Sequence, residues 1–453
     1  MLAGLTYWQL IAAPTLTSDM QFNGYRAAAE LKQNQRGRIL DRTGKPMAQS
    51  VKGKDGFDRQ YPNPGVAPIV GYWSLRYGSA GLEGLYDRQL GGASGAGVDA
   101  LWQRLLHEPV VGADVVTTID LRLQQATDEA LGDAIGAAIA IDPRTGEVLA
   151  MASHPNFDPN QVEEQYQKLR TAPNDPLFNR AVDGLYVPGS TFKVVTYSAG
   201  LSNGVVQPTT VYEDPDNGIV VDHYRIPDPN HPGIPKYDYQ HALAYSSNSA
   251  FADLGMKVDR DRLTEQAKRF GFEQQIPFDF PTSISKLATD PNFLWTRLGM
   301  ATTGMGQGQL LASPLQMALV AAGIADGGVV MKPHLVREVR APDGGVLESR
   351  QPEKWQDATN PQVAKTVTDA MALGVREGWA KTAALPNVQV AGKTGTAETD
   401  ADAIPHAWFI AFAPADKPRI AVAVVKEHAG GGATYAGPVV KRMLEVGLQV
   451  APP

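Results

Sequence analysis

The chain has 453 residues, 43% apolar and 20% charged, with no cysteine and a formal net charge of −7. That length accommodates two or three domains with a sizeable core. The acidic balance and the lack of Lys/Arg runs exclude broad nucleic-acid binding. The cysteine count excludes disulfides, thiolate metal sites and a cysteine nucleophile.

The first 18 residues carry no acidic or basic side chain, and residues 2–13 are mostly apolar, with Tyr7 and Trp8 among them. The run is shorter than the roughly 20 residues a spanning helix needs, and it lacks the basic start of a signal peptide. It reads either as the end of a membrane anchor, the expectation adopted, or as an N-terminal packing helix. Residues 19–135 read as a mixed, irregular region. A helix is expected over 25–31, then two short strands within 35–48 around a turn at Asp41, Arg42, Thr43 and Gly44. Residues 52–68, rich in Gly, Pro and Asp, read as loop. A short helix starts at Gly81, residues 91–97 form a flexible turn, and residues 115–119 alternate like a strand. Asp120 then caps a helix over 121–131 with apolar spacing at Leu123, Ala126, Ala130 and Leu131.

From Gly136 the texture changes. Residues 137–141 and 147–152 read as a hairpin around the turn 142–146. Helical patterns follow at 190–203, 239–256, 260–271 and 314–327. Three strand-like runs come next, at 388–396, 406–413 and 419–426, before a last amphipathic helix over 439–448. Strands at both ends with helices between them predict one α+β domain, an antiparallel sheet closed over a helical cluster. The expected division is an anchor or helix at 1–18, an N-terminal domain at 19–135 and a C-terminal domain at 136–453.

Three polar groups carry chemistry. Ser190, Thr191, Phe192 and Lys193 follow a Pro188-Gly189 break and open a largely apolar run. Residues three apart share a helical face, so the Lys193 amine can reach the Ser190 hydroxyl. A serine is a poor nucleophile until a base takes its proton, and a helix N-terminus favours a nearby oxyanion. Alone, the pair also reads as a buried helix with a snorkelling lysine. Ser283 and Lys286 repeat the spacing in a Pro-bounded polar loop. Ser246, Ser247 and Asn248 interrupt an otherwise apolar stretch and need partners there; they also read as a capping cluster. Lys393, Thr394, Gly395 and Thr396 lie on a strand, where Gly395 admits a close backbone approach; the lysine also reads as protection of a sheet edge.

Together the groups read Ser-x-x-Lys, Ser-x-Asn, Lys-Thr-Gly in chain order, each on its expected helix start, interhelical loop and strand. That triple marks penicillin-binding proteins and class A β-lactamases, and the chain resembles the monofunctional, class B penicillin-binding transpeptidases. Residues 36–44 are similar to the family's Arg-Gly-x-Ile-x-Asp-Arg-x-Gly segment. Gly81-Leu82-Glu83, residues 117–124, Gly304-Met305-Gly306-Gln307-Gly308 and residues 313–318 extend the resemblance over nearly the whole chain.

The resemblance implies a C-terminal serine transpeptidase/β-lactamase-like domain behind a smaller, elongated dimerisation or pedestal domain. It implies a peptidoglycan stem peptide ending in D-Ala-D-Ala as donor and a second stem-peptide amine as acceptor. Ser190 is then the nucleophile and a neutral Lys193 its base, with Lys393 supplying positive potential. Ser246 relays the proton to the leaving amine. Asn248 holds the acyl side-chain amide and braces Lys193. Thr394, Gly395 and Thr396 line the subsite for the terminal carboxylate, and the N–H groups of Ser190 and Thr396 form the oxyanion hole. No cofactor or metal is implied. β-Lactams acylate the same serine. Class A β-lactamases deacylate through a glutamate beyond Ser-x-Asn; here no glutamate lies between Glu273 and Glu338, which implies a stable acyl-enzyme. The expected setting is the bacterial cell membrane, with one N-terminal anchor, an extracytoplasmic catalytic domain and a polytopic SEDS-type glycosyltransferase as partner. The alternatives are a β-lactamase or D,D-carboxypeptidase, or a non-catalytic β-lactam sensor or divisome scaffold.

Overall fold

The computed structural model describes residues 32–92, 110–213, 217–228, 236–398 and 403–451. The expected anchor at 1–18, the helix at 25–31 and most of the turn at 91–97 lie outside them. The chain divides into two compact units. The smaller comprises the described residues up to Thr117 together with Asp158–Tyr166 and Glu338–Ser349; the larger comprises Thr118–Phe157, Gln167–Arg337 and the residues from Arg350 onward.

The larger unit is built on a five-stranded sheet in the order Ala391–Ala397, His406–Ala413, Ile420–Lys426, Gly136–Ile141, Val148–His154. Every neighbouring pair is antiparallel. Almost every residue of these strands is buried. Both faces are therefore covered, which explains the continuous Ala/Val/Ile runs in place of a polar alternation. On one face Leu123, Ala126 and Leu131 of helix Leu121–Leu131 pack with Val439, Met443 and Leu444 of helix Gly437–Val450 over Phe409, Val422 and Val424. Helix Leu121–Leu131, capped by Asp120 as expected, thus sits in this unit. Helix Pro314–Ala325, capped by Ser313, packs against the sheet as well, and the cluster of Lys193–Ser202, Asn248–Val258, Arg260–Arg269 and Pro361–Arg376 completes the unit. The strands at 388–396, 406–413 and 419–426 form as predicted, with small boundary shifts.

Two expectations change here. The pattern at 239–256 is two helices, Tyr239–Ala244 and Asn248–Val258. Ser246 takes a left-handed φ of 62° between them, and Ser247 caps the second helix by accepting from Ala250 N at 3.1 Å. The pattern at 190–203 opens with a tighter 3₁₀ turn, Gly189–Phe192, before helix Lys193–Ser202.

The smaller unit carries a six-stranded sheet in the order Val346–Ser349, Val336–Arg340, Asp114–Thr117, Ile39–Leu40, Pro46–Gly53, Gly56–Gln60. The loop expected at 52–68 is in part a hairpin: Pro46–Gly53 pairs with Gly56–Gln60, closing at Gly53 and Gly56. Its side chains are largely half-exposed, so the backbone ladder holds it with little of the apolar alternation that announces a strand. Among its buried apolar residues, Ile39, Met47, Val66, Ile69, Leu82 and Val115, the unit also holds a buried ion cluster. Glu83 accepts from Arg36 Nε at 2.7 Å, Arg59 Nε at 2.6 Å and Tyr61 Oη at 3.2 Å. Arg36 and Glu83 belong to two of the segments that carried the resemblance, and the fold brings them together as one buried pair. Among the described residues no helix is long and apolar enough to cross a membrane.

Removing one partner of a buried ion cluster leaves uncompensated charge, at a cost of about 3–5 kcal/mol. Glu83→Ala leaves the buried Arg59 without its carboxylate and Arg36 with only Asp87, at 2.8 Å, and is expected to lower stability by that amount in urea unfolding; a loss below about 1 kcal/mol would show that the cluster contributes no more than a surface pair.

Candidate active site

The nucleophile turn is placed by close backbone contacts that only glycine permits. Gly189 has a φ of 56°, and a Cβ there would lie 2.7 Å from Thr396 O. Gly306 has a φ of 94°, and its Cβ would lie 1.8 Å from Gly189 O. Both conformations are left-handed, and both approaches fall below any real Cβ contact. A Cβ on Gly395 would meet Pro188 O at 2.9 Å, the close approach its position beside Lys393 and Thr394 predicted. Hydrogen bonds tie the same layers: Trp408 Nε1 donates to Val187 O at 2.9 Å, and Thr191 Oγ1 to Pro188 O at 2.7 Å. Gln307 Nε2 donates to Thr396 O at 3.2 Å. The Ser190 turn and the Lys-Thr-Gly edge strand are thereby held together, by close backbone approach and by side chains donating to backbone carbonyls.

Behind Ser190 two lysines converge on one hydroxyl. Lys193 Nζ donates to Ser246 O at 2.7 Å and Asn248 Oδ1 at 2.7 Å, and lies 3.4 Å from Ser246 Oγ. Lys393 Nζ donates to Ser246 Oγ at 2.8 Å and Thr394 O at 2.9 Å. Both amines are buried. Burial pushes Lys193 from 10.5 down to about 7, against the pull of the Asp228 carboxylate. Burial, and after it the charge of Lys193, pushes Lys393 well below its usual range. Two amines joined through one hydroxyl titrate as a unit, and the cost of charging both in a dry pocket favours a single proton between them.

The three sequence motifs therefore meet, and Ser190, Lys193, Ser246, Asn248, Lys393 and Thr394 line one buried centre, with the Thr396 side chain exposed at its edge. Among the described residues Ser190 Oγ makes no hydrogen bond to Lys193, whose acceptors are Ser246 and Asn248. A neutral amine has two N–H groups and one lone pair. Ser246 O and Asn248 Oδ1 occupy both donors, which leaves the lone pair free to accept a proton. Resting sites often lack the catalytic hydrogen bond that forms with substrate. The second Ser-x-x-Lys has no such setting: Lys286 is exposed, and its backbone is bridged to Leu311.

The sequence reading missed Asp228. This residue is 1% exposed, and its Oδ2 accepts from Ser247 Oγ at 2.6 Å. It also left Gly306 and Gln307 without a role, although both lie in a segment that carried the resemblance.

Residues 136–445 match the family described as penicillin binding protein transpeptidase domain, and residues 36–115 match the penicillin binding protein A dimerisation domain. The chain is 36% identical to the peptidoglycan D,D-transpeptidase PbpA of Mycolicibacterium smegmatis over 99% of its own length and 96% of that protein's. Its fold is similar to penicillin-binding protein A from M. tuberculosis, solved as a ceftriaxone acyl-enzyme complex, with a TM-score of 0.86 and 34% identity over 93% of this chain and 100% of that one. It is also similar to PBP2 of Pseudomonas aeruginosa, with a TM-score of 0.78 and 32% identity over 91% and 95% of the two chains. With its own N-terminal unit and its three motifs gathered at one centre, the chain belongs to the class B penicillin-binding proteins, the D,D-transpeptidase family.

Proposed function

We propose that the chain is a peptidoglycan D,D-transpeptidase in which Ser190 becomes acylated by the donor stem peptide. The observation that carries this reading is the pair of buried lysines joined through Ser246 beside the Ser190 turn. Neutral Lys193 takes the Ser190 proton as Oγ bonds to the penultimate D-alanine carbonyl carbon. The N–H groups of Ser190 and Thr396 stabilise the oxyanion, a contribution of about 10²–10³ in rate per donor. The C–N bond then breaks, and Ser246 passes the proton to the departing D-alanine amine. In the second half, the acceptor amine attacks the ester, and the serine regains its proton. Asn248 holds Lys193 through Oδ1, while its Nδ2, now donating to Pro227 O at 3.3 Å, serves the acyl side-chain amide. Lys393 supplies positive potential, and Thr394, Gly395 and Thr396 form the carboxylate subsite.

The same serine is acylated by β-lactams and stays acylated. The glutamates that follow Ser-x-Asn are engaged elsewhere: Glu265 pairs with Arg269 on the surface, and Glu273 accepts from Leu287 N at 2.7 Å. The substrate's location supports an extracytoplasmic catalytic unit, with residues 1–18 as part of a single membrane anchor. A crosslinking enzyme needs glycan strands, and a polytopic SEDS-type glycosyltransferase supplies them.

Ser190→Ala is expected to abolish labelling by a fluorescent penicillin, while the native protein keeps its label for hours; surviving label in the variant, or rapid penicillin hydrolysis by the native protein, would refute the reading. Gly306→Ala must push the nucleophile turn away from its present position. A displacement near 1 Å costs about 10²-fold, so its acylation rate should fall by that order, and the side chain forced onto a left-handed φ against the Gly189 carbonyl should lower the melting temperature as well. A rate within about twofold of native would remove Gly306 from the site.

A further inference from the structure

The hairpin of strands Gly218–Val221 and Tyr224–Pro227 ends at Asp228, which the acyl-transfer scheme leaves unused. Besides Ser247 Oγ, Asp228 Oδ2 accepts from Ser249 N at 3.3 Å, in the first turn of helix Asn248–Val258. Tyr237 Oη meets Ser247 Oγ at 2.7 Å. Asp228 Oδ1 is enclosed and has no hydrogen-bond partner among the described residues. A buried carboxylate with one bare oxygen is costly unless an opposite charge lies near. Lys193 grips Ser246 and Asn248, and Asp228 grips Ser247 between them. Amine and carboxylate thus hold the same three-residue turn.

We propose that Asp228 is a positioning residue of acyl transfer, the counter-charge of the buried lysine pair, and that it sets the pH at which Lys193 becomes a base. The inference rests on the acyl-transfer reading above. Among the described residues, the groups facing Lys193 are few. Lys393 reaches it through Ser246. The Phe251 ring lies 5.6 Å from its Nζ. Around Phe251 pack Tyr197 and Tyr239, whose hydroxyls burial pushes up and keeps neutral. Asp253, on the same helix as Phe251, is paired with Lys257 at 2.6 Å. Asp228 is the carboxylate that acts on the amine, and it favours the charged form. Lys193 is pushed below its usual range, so its base form appears as pH rises through about 7. Loss of the carboxylate removes support for the ammonium and moves that step to lower pH.

The test is the second-order rate of acylation by a fluorescent penicillin, followed between about pH 5.5 and 9. The native protein should show an acid limb near 7. Asp228→Asn should shift that limb down by about one pH unit or more, whereas Asp228→Glu, which keeps the charge, should leave it near the native position even if its plateau falls. A folded Asp228→Asn variant with its limb unmoved, whatever its plateau, overturns the proposal, because a purely structural role lowers the rate at every pH. Should Asp228→Asn fail to fold, Asp228→Ser carries the same test, since it removes the charge and keeps a hydroxyl for Ser247. A native protein that is not acylated at all refutes the acyl-transfer reading instead.

Discussion

Two amines that share one hydroxyl in a dry pocket are the constraint from which the rest of the centre follows. An exposed lysine is protonated at neutral pH and cannot act as a base. Moving Lys193 from 10.5 to about 7 disfavours its charged form by about 5 kcal/mol. Burial supplies that effect, and a second lysine makes a second proton harder to hold. Ser246, at 3.4 Å from one amine and 2.8 Å from the other, links them through its hydroxyl.

Such a pocket needs a rigid frame, since water entering it would restore both charges. The frame is backbone packed on backbone. Gly189, Gly306 and Gly395 let the nucleophile turn, the Gly304–Gly308 segment and the edge strand approach more closely than any side chain allows. The buried five-stranded sheet holds the edge strand, and Trp408 on the neighbouring strand reaches back to Val187. The left-handed Ser246 between two helices turns both its carbonyl and its hydroxyl toward the lysines.

Much of this was legible in the sequence because the signals are local. Ser190 and Lys193 lie one helical turn apart, Ser246 and Asn248 lie on one short turn, and Lys393 to Thr396 share one strand. The sheet strands were legible because burial on both faces writes continuous apolar runs. Asp228 was not legible: it follows a short hairpin of mixed polarity, far from Ser247 along the chain, and no periodicity links the two. The hairpin at 46–60 escaped because its strands are half-exposed and polar. The strands Val336–Arg340 and Val346–Ser349 escaped because they return to the smaller unit's sheet across a long stretch of chain, a pairing only tertiary structure reveals. Within the site, helical spacing places Ser190 and Lys193 on one face without deciding which acceptors the amine chooses, and here it chooses Ser246 O and Asn248 Oδ1.

The central claim is that acyl transfer runs through one serine, selected from two Ser-x-x-Lys matches by the buried lysine pair behind it. Proteolysis of the penicillin-treated protein followed by mass-spectrometric mapping of the adduct tests this most directly. The account predicts a single adduct on the peptide that contains Ser190. An adduct on Ser283 or Ser246, or on several serines at comparable occupancy, would contradict it.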